Sequence, residues 1–105
     1  MTTARVPLRI GVLGAGQRGF TLADLTATQP HLARIAAVAE PREAYRQAFA
    51  SRFGLDRGAT FASWQEFVVQ RPAVDAVIIT TLDRDHVGPA VACLTQGIPV
   101  LLEKP

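Results

Sequence analysis

A chain of 105 residues, 49% apolar and 19% charged, has the length and composition of one packed domain. A formal net charge of +2, with basic residues scattered rather than run together, excludes a nucleic-acid-binding arm and suits a domain that handles a polyphosphate. One cysteine, Cys93, excludes an internal disulfide, and no segment approaches the ~20 apolar residues of a membrane span.

The elements alternate in kind along the chain. Met1 to Ile10 carries charge and no apolar run long enough for a signal peptide. Leu8 to Leu13 is a short apolar run, predicted as the first strand. A glycine-rich turn and a helix follow. Ala33 to Ala39 is the second strand. Tyr45, Phe49 and Phe53, with Ala48 beside them, give the second helix one apolar face, and Gly54 supplies its C-cap. Ala59 to Ala62 is a weaker strand candidate. Ser63-Trp64-Gln65-Glu66 reads as a capping box, with Phe67 and Val68 on the face of Trp64 and Pro72 closing the helix. Ala76 to Thr81 is the next strand. Val87, Ala90, Val91 and Leu94 then recur at helical spacing up to Gly97. Pro89 places the start of that helix between Asp85 and Pro89. Ile98 to Leu102 is the last strand. Cys93, among apolar neighbours, reads as a buried structural thiol.

The strands are apolar almost throughout rather than at alternate residues, as when both faces of a parallel sheet are covered. Strand and helix in alternation imply right-handed crossovers. The expected architecture is α/β: a doubly wound parallel sheet in the order 3-2-1-4-5, over a single domain of residues 1–105.

The first strand runs into Gly14-Ala15-Gly16-Gln17-Arg18-Gly19, a G-x-G-x-x-G loop. Gly14 permits the tight turn, Gly16 admits a pyrophosphate to the backbone, and Gly19 lets the helix pack on the strand. The helix beginning there directs free N–H groups and its positive dipole end at the phosphates. A nucleoside-triphosphate P-loop is excluded, because no Gly-Lys-Ser/Thr follows. A methyltransferase loop usually has G-x-G-x-G spacing, which this one lacks. The second strand ends in Glu40, 21 residues after Gly19, near the spacing at which an acid accepts hydrogen bonds from a ribose diol. A carboxylate there favours NAD over NADP, whereas Arg42 close by suits a 2′-phosphate or stacks on adenine. The expected cofactor is NAD, with NADP as the alternative.

In an open parallel sheet, ligands sit at the carboxyl ends of the strands, where strand order reverses. Thr80, Thr81 and Leu82, leaving the fourth strand, are therefore expected to border the cofactor. Glu103, Lys104 and Pro105 leave the fifth.

Ile10-Gly11-Val12-Leu13-Gly14-Ala15-Gly16, Thr80-Thr81-Leu82-Asp83 with His86, and Glu103-Lys104-Pro105 together resemble the Gfo/Idh/MocA family of oxidoreductases. The resemblance spans the whole chain, and the Glu-Lys-Pro ending is its most specific part. It implies that Lys104 is the catalytic lysine, hydrogen-bonding the substrate hydroxyl or relaying its proton. It implies that Glu103 contacts the nicotinamide ribose, that Pro105 follows a cis peptide, and that His86 lines the cofactor cleft. The family often has Pro-Asn where this chain has Leu82-Asp83. Arg18, in the loop, occurs in some branches. No metal site is expected.

By the same resemblance, the chain is expected to be the N-terminal part of a longer enzyme, lacking the α/β domain that binds a small-molecule substrate; the single cysteine and the lack of a signal peptide or membrane span make the expected setting cytoplasmic. The full protein is expected to be a homo-oligomer that oxidises a secondary alcohol of a sugar, polyol or related compound. The 105 residues alone are expected to be inactive. Two other readings stand beside it: a non-catalytic dinucleotide-sensing module, for which Lys104 has no use, and an NAD-using glycosidase-like member of the same family.

Overall fold

The computed structural model describes residues 6–81 and 86–102. Its elements in chain order are β1 (Leu8–Leu13), α1 (Gln17–Ala27), β2 (Ala33–Ala39), α2 (Glu43–Phe53), a 3-10 turn (Arg57–Ala59), β3 (Thr60–Phe61), α3 (Trp64–Gln70), β4 (Ala76–Ile79), α4 (Val87–Thr95) and β5 (Val100–Leu102). The five strands form one sheet in the order β3-β2-β1-β4-β5, and every neighbouring pair is parallel.

Alternate side chains of the central strands feed two cores. On one face Val12 and Ile78 meet Ala23 of α1 and Phe49 of α2. On the other, Leu13, Val77 and Ile79 meet Phe67 of α3 and Ala90 and Cys93 of α4. This two-sided burial explains why these strands read as unbroken apolar runs. Phe49 is fully buried and stacks edge-on to Phe20 at 5.1 Å and against Phe53 at 4.6 Å. Burial of a side chain of this size contributes about 1.5–3 kcal/mol.

Several boundaries differ from the sequence expectations. β3 has two residues rather than four, β4 stops at Ile79 and leaves Thr80 and Thr81 outside the ladder, and β5 begins at Val100. Leu101 and Leu102 are exposed, because among the described residues β5 is an edge strand paired to β4 alone. Tyr45 is not a core residue: Phe49 holds that face of α2, and Tyr45 faces solvent.

The buried face of α4 also differs. Its spacing points to Val87, Ala90, Val91 and Leu94, yet Val87, Val91 and Leu94 are exposed, whereas Pro89, Ala90 and Cys93 are buried. Almost every position from Val87 to Leu94 is apolar, so periodicity alone does not fix the phase. The smaller side chains turn inward because Trp64 and Phe67 of α3 fill the space beside them. Pro89 is the third residue of α4, in the first turn, where its missing N–H costs no helical bond.

Helix ends follow local chemistry. Gly54 caps α2 at φ 67° and Gly97 turns the chain after α4 at φ 79°. The Ser63 hydroxyl accepts from the Glu66 N–H at 3.1 Å, the expected N-cap of α3. Arg71 ends α3 in the left-handed region at φ 49°. No helix among the described residues is long and apolar enough to cross a membrane.

Candidate functional site

The carboxyl ends of β1, β2 and β4 converge on a cleft of about 470 Å³, lined by Gly14, Glu40, Arg42, Thr80 and Thr81 together with Ala39, Pro41, Ser63, Trp64 and Gln65. The volume is within the range of small-ligand sites. β1 pairs with β2 on one side and β4 on the other, so the strand order reverses at its tip. The loop between β1 and α1 lies at that crevice.

The loop is held from both sides. The Gly14 N–H donates to the Ala39 carbonyl at 2.8 Å, and the Thr80 hydroxyl donates to the Gly14 carbonyl at 2.9 Å. Gly14 has φ 109°, open to glycine and strained for other residues. At Gly19 a Cβ would stand 2.1 Å from the Gly14 carbonyl oxygen, so the first turn of α1 packs directly on the loop backbone. α1 starts after Gly16 with no side-chain cap and no acid in its first turn. The positive end of its dipole therefore meets the loop with no side-chain cap or acid against it, an arrangement that suits an anion.

Glu40 follows β2 and is 2% exposed. Its Oε1 accepts from the Ala15 N–H at 2.8 Å and from Arg42 Nη2 at 3.1 Å. Its Oε2 accepts from the Arg42 N–H and from Arg42 Nε, both at 2.9 Å. Burial alone would raise the Glu40 pKa, but the Arg42 side chain, these two backbone N–H groups and the Arg42 charge together hold it below the usual carboxylate value. Arg46 donates to the Glu40 carbonyl at 2.8 Å and fixes the backbone there. The Arg42 guanidinium also lies over the Tyr45 ring, 3.9 Å from its centroid.

Of the residues expected at the site, Gly14, Glu40, Arg42, Thr80 and Thr81 meet in the cleft, and a Cβ on Gly16 would stand 3.2 Å from Arg42 Nη2. The Ala15 N–H is already engaged by Glu40. Gln17 and Arg18 are exposed on the first turn of α1 and do not line the cleft. His86 stands one bond back: its ring donates to the Thr81 carbonyl. The Thr81 hydroxyl is buried and has no hydrogen-bond partner among the described residues. Leu82, Asp83, Glu103, Lys104 and the peptide bond before Pro105 lie outside the described residues.

Sequence reasoning missed the wall formed by Ser63, Trp64 and Gln65. The signal was present: the capping box follows a strand, and the carboxyl end of every strand in such a sheet faces the ligand side. Trp64 spans two roles, lining the cleft and packing on α4, where a Cβ on Gly88 would stand 2.8 Å from its indole.

A dinucleotide fits these residues. The loop backbone lies open at Gly16, the α1 N-terminus is uncapped, and a buried acid faces the same cleft.

Comparison with known proteins agrees. Residues 8–105 match the family model described as the oxidoreductase family, NAD-binding Rossmann fold. The chain is 37% identical over 98 residues to an inositol 2-dehydrogenase of Corynebacterium glutamicum, covering 93% of this chain and 28% of that protein. It is 33% identical to the rhizopine catabolism protein MocA of Rhizobium meliloti, over 92% of this chain and 29% of that one. Among solved structures, it is similar to a myo-inositol dehydrogenase from Corynebacterium glutamicum, with a TM-score of 0.82 and 32% identity over 95% of this chain and 28% of the other. It is likewise similar to the apo scyllo-inositol dehydrogenase from Lactobacillus casei, with a TM-score of 0.86 and 25% identity over 98% of this chain and 30% of the other. The chain spans less than a third of the length of the relatives it matches. The loop, the buried acid, the sheet order and this match over nearly every residue lead to one conclusion: the chain belongs to the Gfo/Idh/MocA oxidoreductase family, as an NAD-binding Rossmann-fold domain.

Proposed function

We propose that these 105 residues form the cofactor-binding domain of a dehydrogenase that oxidises a secondary alcohol of a polyol, sugar or related small molecule. The observation that carries this is Glu40: a buried, ionised acid at the tip of β2, in the same cleft as a glycine loop whose helix is uncapped. The names of the similar proteins, inositol dehydrogenases among them, support a polyol substrate.

In this reading the first turn of α1, from Gln17 to Gly19, and the open backbone at Gly16 receive the pyrophosphate, and Ala15 serves by anchoring Glu40. Glu40 holds the adenosine ribose, with Arg42 beside it at the cofactor's 2′ position. Thr80, Thr81, Leu82 and His86 border the nicotinamide side, where the buried Thr81 hydroxyl has a donor to offer. Glu103 contacts the second ribose, and Lys104 hydrogen-bonds the reacting hydroxyl and takes part in its proton transfer. Bound NAD supplies the hydride acceptor. The substrate is held by a domain outside these residues, in a cytoplasmic homo-oligomer, so the chain alone binds cofactor without turnover.

The test is calorimetric titration of NAD and NADP into the chain beside a Gly16→Val variant. A Cβ at Gly16 meets only the flexible end of Arg42, so valine is expected to fill the phosphate approach with the fold retained, as circular dichroism would check. Saturable NAD binding that valine abolishes is expected. No binding of either nucleotide to the folded chain would overturn the proposal.

A further inference from the structure

Glu40 has no acceptor position to spare. An ionised carboxylate offers about four hydrogen-bond sites, two on each oxygen. Here the Ala15 N–H, the Arg42 N–H, Arg42 Nε and Arg42 Nη2 fill them. A ribose 2′,3′-diol brings two further donors to a group that is already saturated.

The four donors are not equivalent. The two backbone N–H groups belong to the loop and to the chain turn after β2, and they stay with the fold. The two from the guanidinium are on a side chain that is 57% exposed and is held otherwise only by stacking on Tyr45, so it can swing away from Glu40 without unfolding anything. If the guanidinium leaves, the diol replaces it donor for donor and the count returns to four. A 2′-phosphate has different needs. It brings charge and acceptors but no 2′-hydroxyl donor, and bare Glu40 would repel it. With the guanidinium still on Glu40, the remaining N–H groups of Arg42, which make no other bond among the described residues, are available to that phosphate.

On the reading of the cleft as a dinucleotide site, we propose that Arg42 is a specificity-determining residue acting in two opposite senses. NAD binds by displacing its guanidinium from Glu40, whereas NADP binds with the Glu40–Arg42 pair intact. Arg42 thus competes with one cofactor and recruits the other, and the pair lets one site accept both.

The experiment is calorimetric titration of NAD and NADP into the wild-type chain, Arg42→Met and Arg42→Lys, each at low and high salt, with folding checked by circular dichroism. Methionine keeps an unbranched apolar side chain and removes the competitor. NAD should bind Arg42→Met about three- to tenfold more tightly than wild type, and NADP more than about tenfold more weakly. Lysine donates at one point rather than through a fork, so Arg42→Lys should fall between. Salt screens the exposed pair, so NAD binding to the wild type should weaken less with salt than NADP binding does. Equal weakening of both nucleotides in Arg42→Met would make Arg42 a simple contact and overturn the exchange, as would no change in either. Wild-type chain that binds neither nucleotide would instead overturn the dinucleotide reading and this proposal with it.

Discussion

At Gly19 there is room for a hydrogen atom and nothing larger. A Cβ there would stand 2.1 Å from a backbone oxygen, and backbone cannot rotate aside. Gly19→Ala should therefore destabilise the fold by about 1–3 kcal/mol, read as a lower urea midpoint. Glu40→Ala should weaken NAD binding and ease NADP binding, since it removes the ribose acceptor and the repulsion together. It should also cost about 1–3 kcal/mol of stability, because the buried Ala15 N–H loses its acceptor. An unchanged melting curve and unchanged titrations would sink that assignment. These residues were legible in the sequence because each answers a requirement that spacing can express: a turn, a close approach, an acid at the end of the second strand. The saturation of Glu40 was not legible. It depends on where the Arg42 side chain turns, and hence on Tyr45, whose i, i+4, i+8 position pointed to the core.

Among the elements, strands and helices were readable wherever one face is apolar and the other is not. α4 shows the limit. Apolar all round, it has no face that spacing can select, and the choice falls to the bulk of Trp64 and Phe67 across the interface. Burial pushes the Cys93 thiol up from its ordinary pKa. Thiol-reactive reagents should thus label the folded chain slowly and the urea-unfolded chain quickly, and fast labelling under native conditions would contradict the observed phase. The ends of α3 make a second pair of tests. Ser63→Ala should cost about 1 kcal/mol through the lost N-cap. Arg71→Gly should gain about 0.5–1 kcal/mol, because φ 49° suits a residue without Cβ, and thermal melts would resolve the opposite signs.

For the molecule as a whole, the order 3-2-1-4-5 followed from the alternation of elements, but strand lengths did not: β3 is held by two residues of pairing, which no hydrophobic run marks. At the amino ends of the central strands, away from the cleft, Arg9 at the start of β1 clasps Asp75 just before β4 through two side-chain bonds of 3.1 and 3.0 Å. Chiefly through that side-chain bonding, Arg9 holds the Asp75 carboxyl down at about 2, against an ordinary value of 3.8. A folded-state pKa below the unfolded one contributes stability that is present above the unfolded value and lost as pH falls through the folded one. Urea midpoints should therefore drop between about pH 4 and pH 2 in the wild type, and Asp75→Asn should remove that part of the slope. Trp64 gives the molecule something further. It is the only tryptophan in the chain, and it sits between the cleft and Gly88 on α4. Its fluorescence is thus a built-in optical probe with two inputs: a nucleotide in the cleft should quench it, while Gly88→Ala should shift its emission with no ligand present. Cofactor occupancy and the docking of α3 on α4 become observable in one cuvette, from the unlabelled chain.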